Sequence, residues 1–132
     1  MNELVCKRFG GVVKMEKIFM TKAKNRAKAI KVLFEQFDMR NFEGKKVALK
    51  ANYNSADPFP ASTHLDTLSA IVKGLKNAGA AEMTLPERSG MGETRSVLTE
   101  MGVFKLSNQL GFTTVVLDEL DEKGWIRFKP SF

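Results

Sequence analysis

The residues of this chain that could carry out chemistry are concentrated in one stretch, 51–64, which contains amides, hydroxyls, a carboxylate and the one histidine of the sequence. A helix start disfavours the protonated form of a histidine, and a neutral imidazole there can accept a proton or ligate a metal. We therefore predict His64 and Asp57 as catalytic candidates. The alternative is that His64 only forms hydrogen bonds at the start of a helix. The other residues of the stretch that we predict to orient a ligand are Asn52, Asn54, Ser62 and Thr63.

A second polar stretch, 86–95, precedes another predicted helix and contains the turn Gly90-Met91-Gly92. Backbone N–H groups at a helix start suit an anion, and flanking arginines can bind its oxygens in pairs. The stretch is not a dinucleotide fingerprint, because Arg95 stands where the third glycine should be. The alternative is that the glycines serve only a tight turn and a helix cap. The residues predicted to form this wall of the site are Arg88, Ser89, Gly90 and Gly92.

Carboxylate side chains are expected near His64, where they could help to bind a metal ion. Asp57, His64 and Glu87 could together bind a divalent cation, although their spacing matches no recognised metal motif. Asp66 has a structural explanation instead, since it lies three residues after Thr63 in the pattern of a helix capping box. With Cys6 as its one cysteine, the sequence predicts no internal disulfide, no thiolate metal site and no iron–sulfur cluster held by this chain.

The composition is that of a single globular domain, with 132 residues, 43% of them hydrophobic and 27% charged. No apolar run approaches the ~20 residues that cross a bilayer, and charged residues interrupt any signal-peptide core, so we expect a cytoplasmic protein. The net charge of +6 comes from the first 50 residues. Their lysines fall mostly at polar helix positions, so we expect a solvated face rather than a nucleic-acid contact.

Hydrophobic periodicity predicts strands alternating with helices. The strands are expected at 16–20, 46–50, 82–85, 112–117 and 125–128, and the helices at 25–37, 64–78, 94–101 and 104–110. This alternation predicts an α/β fold with a mostly parallel sheet of four to five strands and helices on both faces, a Rossmann-like three-layer arrangement. Right-handed crossovers bring the carboxyl ends of the strands to one edge, where ligands of such folds bind. Both polar stretches leave strands at that edge.

Two further expectations concern the ends of the domain and its long loop. Residues 1–14 show no period and are predicted to be a disordered extension before a natural start at Met15, with 15–132 forming one α/β domain. Phe59 lies between two prolines, which stiffen the backbone around it. We expect Phe59 to pack inward and anchor the loop; the alternative is a surface that stacks on a ligand.

Two motifs resemble those of a known family. Lys-Ala-Asn-Tyr-Asn-Ser-Ala-Asp-Pro-Phe-Pro-Ala-Ser-Thr-His at 50–64 and Glu-Arg-Ser-Gly-Met-Gly at 87–92 are similar to the signatures of the domain-of-unknown-function 362 family, over residues 17–128. The family is uncharacterised, so the resemblance implies the position of a site and no reaction. Its members usually continue further, some with a cysteine-rich, ferredoxin-like region. The resemblance therefore implies a truncated member or one partner of a dimer, without the iron–sulfur chemistry.

From these observations we predict an α/β domain that binds a small anionic or metal-bridged ligand between loops 51–64 and 86–95. Catalysis, if present, would use His64 with Asp57 or Glu87 nearby. The alternative is an interaction module without catalytic activity, whose loops pack against a second subunit or the missing continuation of the family domain. We also expect self-association, no membrane contact and no nucleic-acid partner.

Overall fold

The computed structural model of the protein describes residues 2–6, 16–22 and 24–130. Within them, β1 (Asn2–Cys6) and β2 (Glu16–Met20) form an antiparallel pair, and β3 (Lys46–Ala48), β4 (Glu82–Glu87) and β5 (Thr113–Val116) form a parallel sheet in the order β3-β4-β5. The helices are α1 (Arg26–Phe34), α2 (Leu65–Asn77), α3 (Thr94–Glu100) and α4 (Val103–Leu110). Short 3₁₀ turns occupy Met39–Phe42, Leu117–Glu119 and Glu122–Gly124. The α/β prediction is thus confirmed.

The predicted count of four to five strands in the main sheet is wrong, because the described chain contributes three. The predicted first strand, β2, pairs with β1 through five residues of antiparallel register instead. The predicted last strand, 125–128, is neither helix nor strand and forms no ladder among the described residues. A parallel neighbour needs a crossover of a dozen or more residues, and only the two short turns lie between β5 and this segment. The predicted extension 1–14 overlaps β1 at residues 2–6, and its residues 7–14 lie outside the described ones.

The crossover helices lie on one face of the sheet. The strand order advances in a single direction, so right-handed crossovers place α2 and the α3–α4 pair on the same side, and α2 contacts α4 there. Helix α1 packs on α2. The opposite face presents exposed Ala48 and Thr113 beside the half-buried Thr84, Pro86 and Val115. The prediction of helices on both faces is therefore wrong for the described chain.

Helix α2 forms the centre of the core. Its buried Leu68, Val72 and Leu75 pack with Met83 and Leu85 of β4, and each such side chain contributes about 1.5–3 kcal/mol of transfer free energy. The apolar stripe predicted for this helix is therefore present. No helix in the described part of the chain is long and apolar enough to cross a membrane.

Pro86 lies within β4 and marks the end of its pairing with β3. We expected the strand to stop at this proline, yet β4 continues to Glu87, and Pro86 itself pairs with Val115 of β5. Leu49 donates its N–H to the Thr84 carbonyl at 2.8 Å, so the next β4 position that faces β3 is 86. Proline has no N–H to donate there, and pairing with β3 stops at Ala48 and Thr84. The chain is thereby released from the sheet into the long loop at the carboxyl edge.

Candidate functional site

Loops 51–64 and 86–95 contact each other at the carboxyl edge of the sheet. The buried Ser89 hydroxyl donates to the Tyr53 carbonyl at 2.7 Å. The Gly90 N–H donates to Asn54 Oδ1 at 3.0 Å, and the Met91 N–H donates to the Asn54 carbonyl at 2.9 Å. The predicted convergence of the two polar stretches therefore occurs, with Asn54 and Ser89 at the junction.

The two ends of the first loop, 51–64, are held together by residues that we predicted to orient a ligand. The Asn52 N–H donates to Thr63 Oγ1 at 2.9 Å, and the Thr63 N–H donates back to the Asn52 carbonyl at 2.9 Å. The Asn52 side-chain amide donates to the Ala61 carbonyl at 2.8 Å. Ser62 is buried and donates to the Ser55 carbonyl at 3.1 Å. These groups are engaged in holding the shape of the loop.

Both glycines of the second loop have structural roles. A Cβ at Gly90 would overlap Asn54 Oδ1, so glycine allows the two loops to approach closely. Gly92 has a φ of +95°, in the left-handed region that a residue with a side chain rarely adopts. The tight turn therefore accounts for Gly92, and the close approach of the loops accounts for Gly90, without a bound anion.

A third segment, which follows β5, completes the edge. Thr94 is 1% exposed; its hydroxyl donates to Asp118 and accepts the Ser89 N–H at 2.9 Å. Asp118 Oδ1 accepts from Arg88 Nε at 2.8 Å. The hydrogen bond from Thr94, followed by that from Arg88, holds the pKa of Asp118 below its usual value. The sequence analysis missed Thr94 and Asp118, although Asp118 directly follows a predicted strand and could have been found by the same rule as the other loops.

The start of α3 already holds a carboxylate. Glu93 is the N-cap and accepts from the N–H groups of Arg95 at 3.0 Å and Ser96 at 2.6 Å. The Ser96 hydrogen bonds are the main cause of a lowered pKa for Glu93. Arg95 is ion-paired with Glu119, its Nε lying 2.6 Å from the Glu119 carboxylate. The anion that we expected at this helix start would meet donors that Glu93 and Glu119 already engage.

A buried carboxylate lies where β4 ends. Glu87 is 3% exposed and accepts from Lys50 Nζ at 3.1 and 3.2 Å and from the Arg88 N–H at 3.0 Å. Tyr53 is fully buried, and its hydroxyl has no hydrogen-bond partner among the described residues. Burial, together with the negative charge of Glu87, raises the pKa of Tyr53 to about 12. Lys50 and Tyr53 were not among the predicted site residues; their side chains gave no local signal of a partner 34 to 37 residues away.

His64 is the N-cap of α2, one residue later than predicted. Its Nδ1 accepts the Asp66 N–H at 3.1 Å. Thr63 is thus not the cap, and Asp66 supplies the capped N–H rather than the capping side chain. A neutral imidazole whose Nδ1 accepts carries its proton on Nε2. In this arrangement His64 can donate to a ligand, whereas the general-base role would require the cap to open.

Phe59 lies at the surface beside His64. It is 56% exposed, its ring centroid is 5.9 Å from that of the imidazole, and the Arg26 guanidinium lies 4.7 Å from it. The expectation of an inward-packed anchor is therefore wrong. The core position in this loop is taken by Tyr53 instead, which is fully buried.

The three predicted metal ligands are not gathered. Asp57 is exposed and accepts from the Ser55 hydroxyl at 2.7 Å, Glu87 is bound by Lys50, and His64 caps α2. No group of three or more His, Cys, Asp or Glu side chains in the described ranges is arranged to hold a metal ion. The predicted cluster of Asp57, His64 and Glu87 does not form.

Comparison with known proteins gives a family and no activity. A family model, the domain of unknown function DUF362, matches residues 47–131, which is more than half of the chain. The chain therefore belongs to this family. The match begins within β3, later than the 17–128 expected from the motifs, and includes both of them. No curated protein and no solved structure matches the chain.

Proposed function

We propose that this member of the DUF362 family binds a small anionic ligand at the carboxyl edge of the sheet, between loops 51–64 and 86–95. The observation that carries the proposal is the state of Arg88. Its guanidinium is held through Nε by Asp118, is 74% exposed, and directs its terminal nitrogens to no partner in the described chain. An arginine fixed in this way keeps two parallel donors in a geometry that fits a carboxylate or a phosphate.

Two neighbouring side chains extend the donor set. Asn54 uses Oδ1 to accept the Gly90 N–H, which leaves its Nδ2 donors without a partner among the described residues. Lys50 reaches Glu87 from a side chain that is 73% exposed, and its ammonium, which has three donors, also donates to the Ala51 carbonyl. Lys50 bonds to Glu87 at the end of β4, and Asn54 bonds to Gly90, two residues after Arg88. The set consists of donors, which favours an anion over a cation.

Catalysis has less support than binding. The candidate base His64 uses Nδ1 as the helix cap, and Asp57 is bonded to Ser55. A metal-bridged ligand is also less favoured, because the predicted ligands do not converge. Each cation at this edge already faces one carboxylate, Arg88 facing Asp118 and Lys50 facing Glu87, so the net positive field that a ligand would meet is small. We therefore propose binding of modest affinity without a chemical step.

The test is a calorimetric titration of the full chain with inorganic phosphate and, separately, with malonate. We expect at least one probe to bind the wild type and to bind R88Q about tenfold more weakly, the loss of about one charge-assisted bond. The matched control is R40Q, since Arg40 is also an exposed arginine paired with an aspartate, Asp38, at 2.8 Å but precedes β3. Failure of both probes to bind, or equal affinities of R88Q and R40Q, would contradict the proposal.

A second candidate function is supported by apolar exposure on the same loops. Phe59 is 56% and Met91 66% exposed, and side chains of this kind are frequent at protein interfaces. An interaction module would cover them with a partner surface. In that case M91S would weaken assembly and leave the titration with phosphate and malonate unchanged.

A further inference from the structure

The segment 125–128 carries large apolar side chains that the fold leaves uncovered. Ile126 is 95%, Phe128 85% and Trp125 54% exposed. The backbone is extended at Trp125, with φ −114° and ψ 136°, and residues 125–130 belong to no helix or strand. Alternation along an extended chain places Ile126 and Phe128 on one side and Trp125 on the other. Adjacent exposed apolar groups mark an interaction site.

The outer edge of β5 is the strand edge suited to receive such a segment. β5 is the last strand of the sheet and pairs with β4 alone in the described part of the chain. Its sequence, Thr-Thr-Val-Val, is β-branched throughout and contains no lysine or proline that would block pairing. The other edge strand, β3, has three residues, begins with Lys46 and is followed closely by Lys50. Lysines are a usual protection of an edge, so β3 is the better protected of the two edge strands and β5 the more open.

We propose that segment 125–128 of one copy adds as a strand to the β5 edge of a second copy, which returns the same contact. Within its own chain, the segment follows the turns Leu117–Glu119 and Glu122–Gly124 and forms no ladder with β5. The strand pattern of the segment, its lack of a strand partner in the described ranges and the open β5 edge are together satisfied by reciprocal strand addition. The contact is isologous, so it closes as a two-fold dimer.

The surface involved is large enough for a stable dimer. Large apolar side chains bury about 150–250 Å² each, so covering the exposed fractions of these three removes on the order of 450 Å² per copy. Two segments and the two surfaces that receive them then account for about 1,800 Å², within the range of about 1,200–2,000 Å² for stable interfaces. A second copy is therefore a sufficient partner. The inference does not rest on the proposed anion binding, which uses Arg88 and the loops before α2 and α3.

The first test is sedimentation equilibrium of the full chain over a wide concentration range. We expect a wild-type dimer and a monomeric I126E/F128E variant with an unchanged circular dichroism spectrum. The control is M91S, which alters an apolar side chain that is 66% exposed on the second loop and should remain dimeric. A monomeric wild type, or a dimer that persists in I126E/F128E, would overturn the proposal. Dissociation of M91S would also overturn it, since the interface would then lie at the loops.

The second test needs no variant and distinguishes strand addition from other dimers. Hydrogen exchange of the wild type should show protection of amides in 125–128 and on the outer edge of 113–116, and dilution should remove it. A dimer in which the 125–128 amides exchange as fast as those of an unstructured peptide would rule out the strand contact. Loss of protection on dilution without any change in sedimentation would do so as well.

Discussion

The Thr94 hydroxyl donates a hydrogen bond to the Asp118 carboxylate and so joins the start of α3 to the segment after β5, 24 residues along the chain. The same oxygen accepts the N–H of buried Ser89, whose hydroxyl bonds Tyr53 in the first loop. Thr94 therefore connects the three segments that meet at the carboxyl edge. Because Thr94 is 1% exposed and Ser89 8% exposed, solvent cannot replace the bond between them.

Replacing Thr94 with valine should lower the free energy of unfolding by about 1–3 kcal/mol, since the shape is kept while the buried Ser89 N–H loses its acceptor. Urea denaturation measures the loss. T99V is the matched control, because Thr99 is an exposed threonine of the same helix whose hydroxyl donates to the Arg95 carbonyl; its change should stay within about 0.5 kcal/mol. Equal small losses in the two variants would show that Thr94 does not hold the segments together.

The fold could be predicted from the sequence as far as the signals are local. The apolar stripe of α2 and the polar loops after two strands depend on spacing alone, and both are present. The partner with which a strand pairs is not determined by the local sequence. The pattern of 125–128 is that of a strand, yet nothing in it specifies which edge it meets. The effect of Pro86 on strand pairing likewise depends on where β3 ends beside it.

The candidate site was predictable in its position and less so in its chemistry. Asn54 and Ser89 were expected at the site, and each bonds to the opposite loop, Asn54 to Gly90 and Ser89 to Tyr53. Arg88 and Arg95 were expected to bind an anion, and each also forms an ion pair that was not expected, with Asp118 and Glu119, 30 and 24 residues away. No spacing rule indicates such distant ion pairs. The N-cap of α2 is His64, one residue after the predicted Thr63, so a general-base role for its Nδ1 would require the cap to open.

Tyr53 should titrate far above its ordinary value of 10.0, at about 12, because its hydroxyl is buried near Glu87. A raised pKa in the folded state means that the stability it contributes is fully present below pH 10 and is lost as the pH rises toward 12. Tyr53 is the one tyrosine of the chain, so phenolate absorbance reports on it alone. The same titration in concentrated urea should return a value near 10. Phenolate that forms near pH 10 while the circular dichroism remains native would contradict the burial of the hydroxyl.

Replacing Gly90 with alanine should displace the Asn54 side chain and break its hydrogen bond with the Gly90 N–H, because the added Cβ overlaps Asn54 Oδ1. Overpacking of this kind costs about 1–3 kcal/mol. N54A removes the overlapping atom and its hydrogen bond from the Gly90 N–H, so G90A should cost less in the N54A background than in the wild type. Urea denaturation of the four proteins gives the coupling energy, expected between about 0.5 and 3 kcal/mol for groups in direct contact. Additive losses would mean that the two loops are not in contact at Asn54 and Gly90. The first loop would then not lie opposite Arg88 in the proposed binding site.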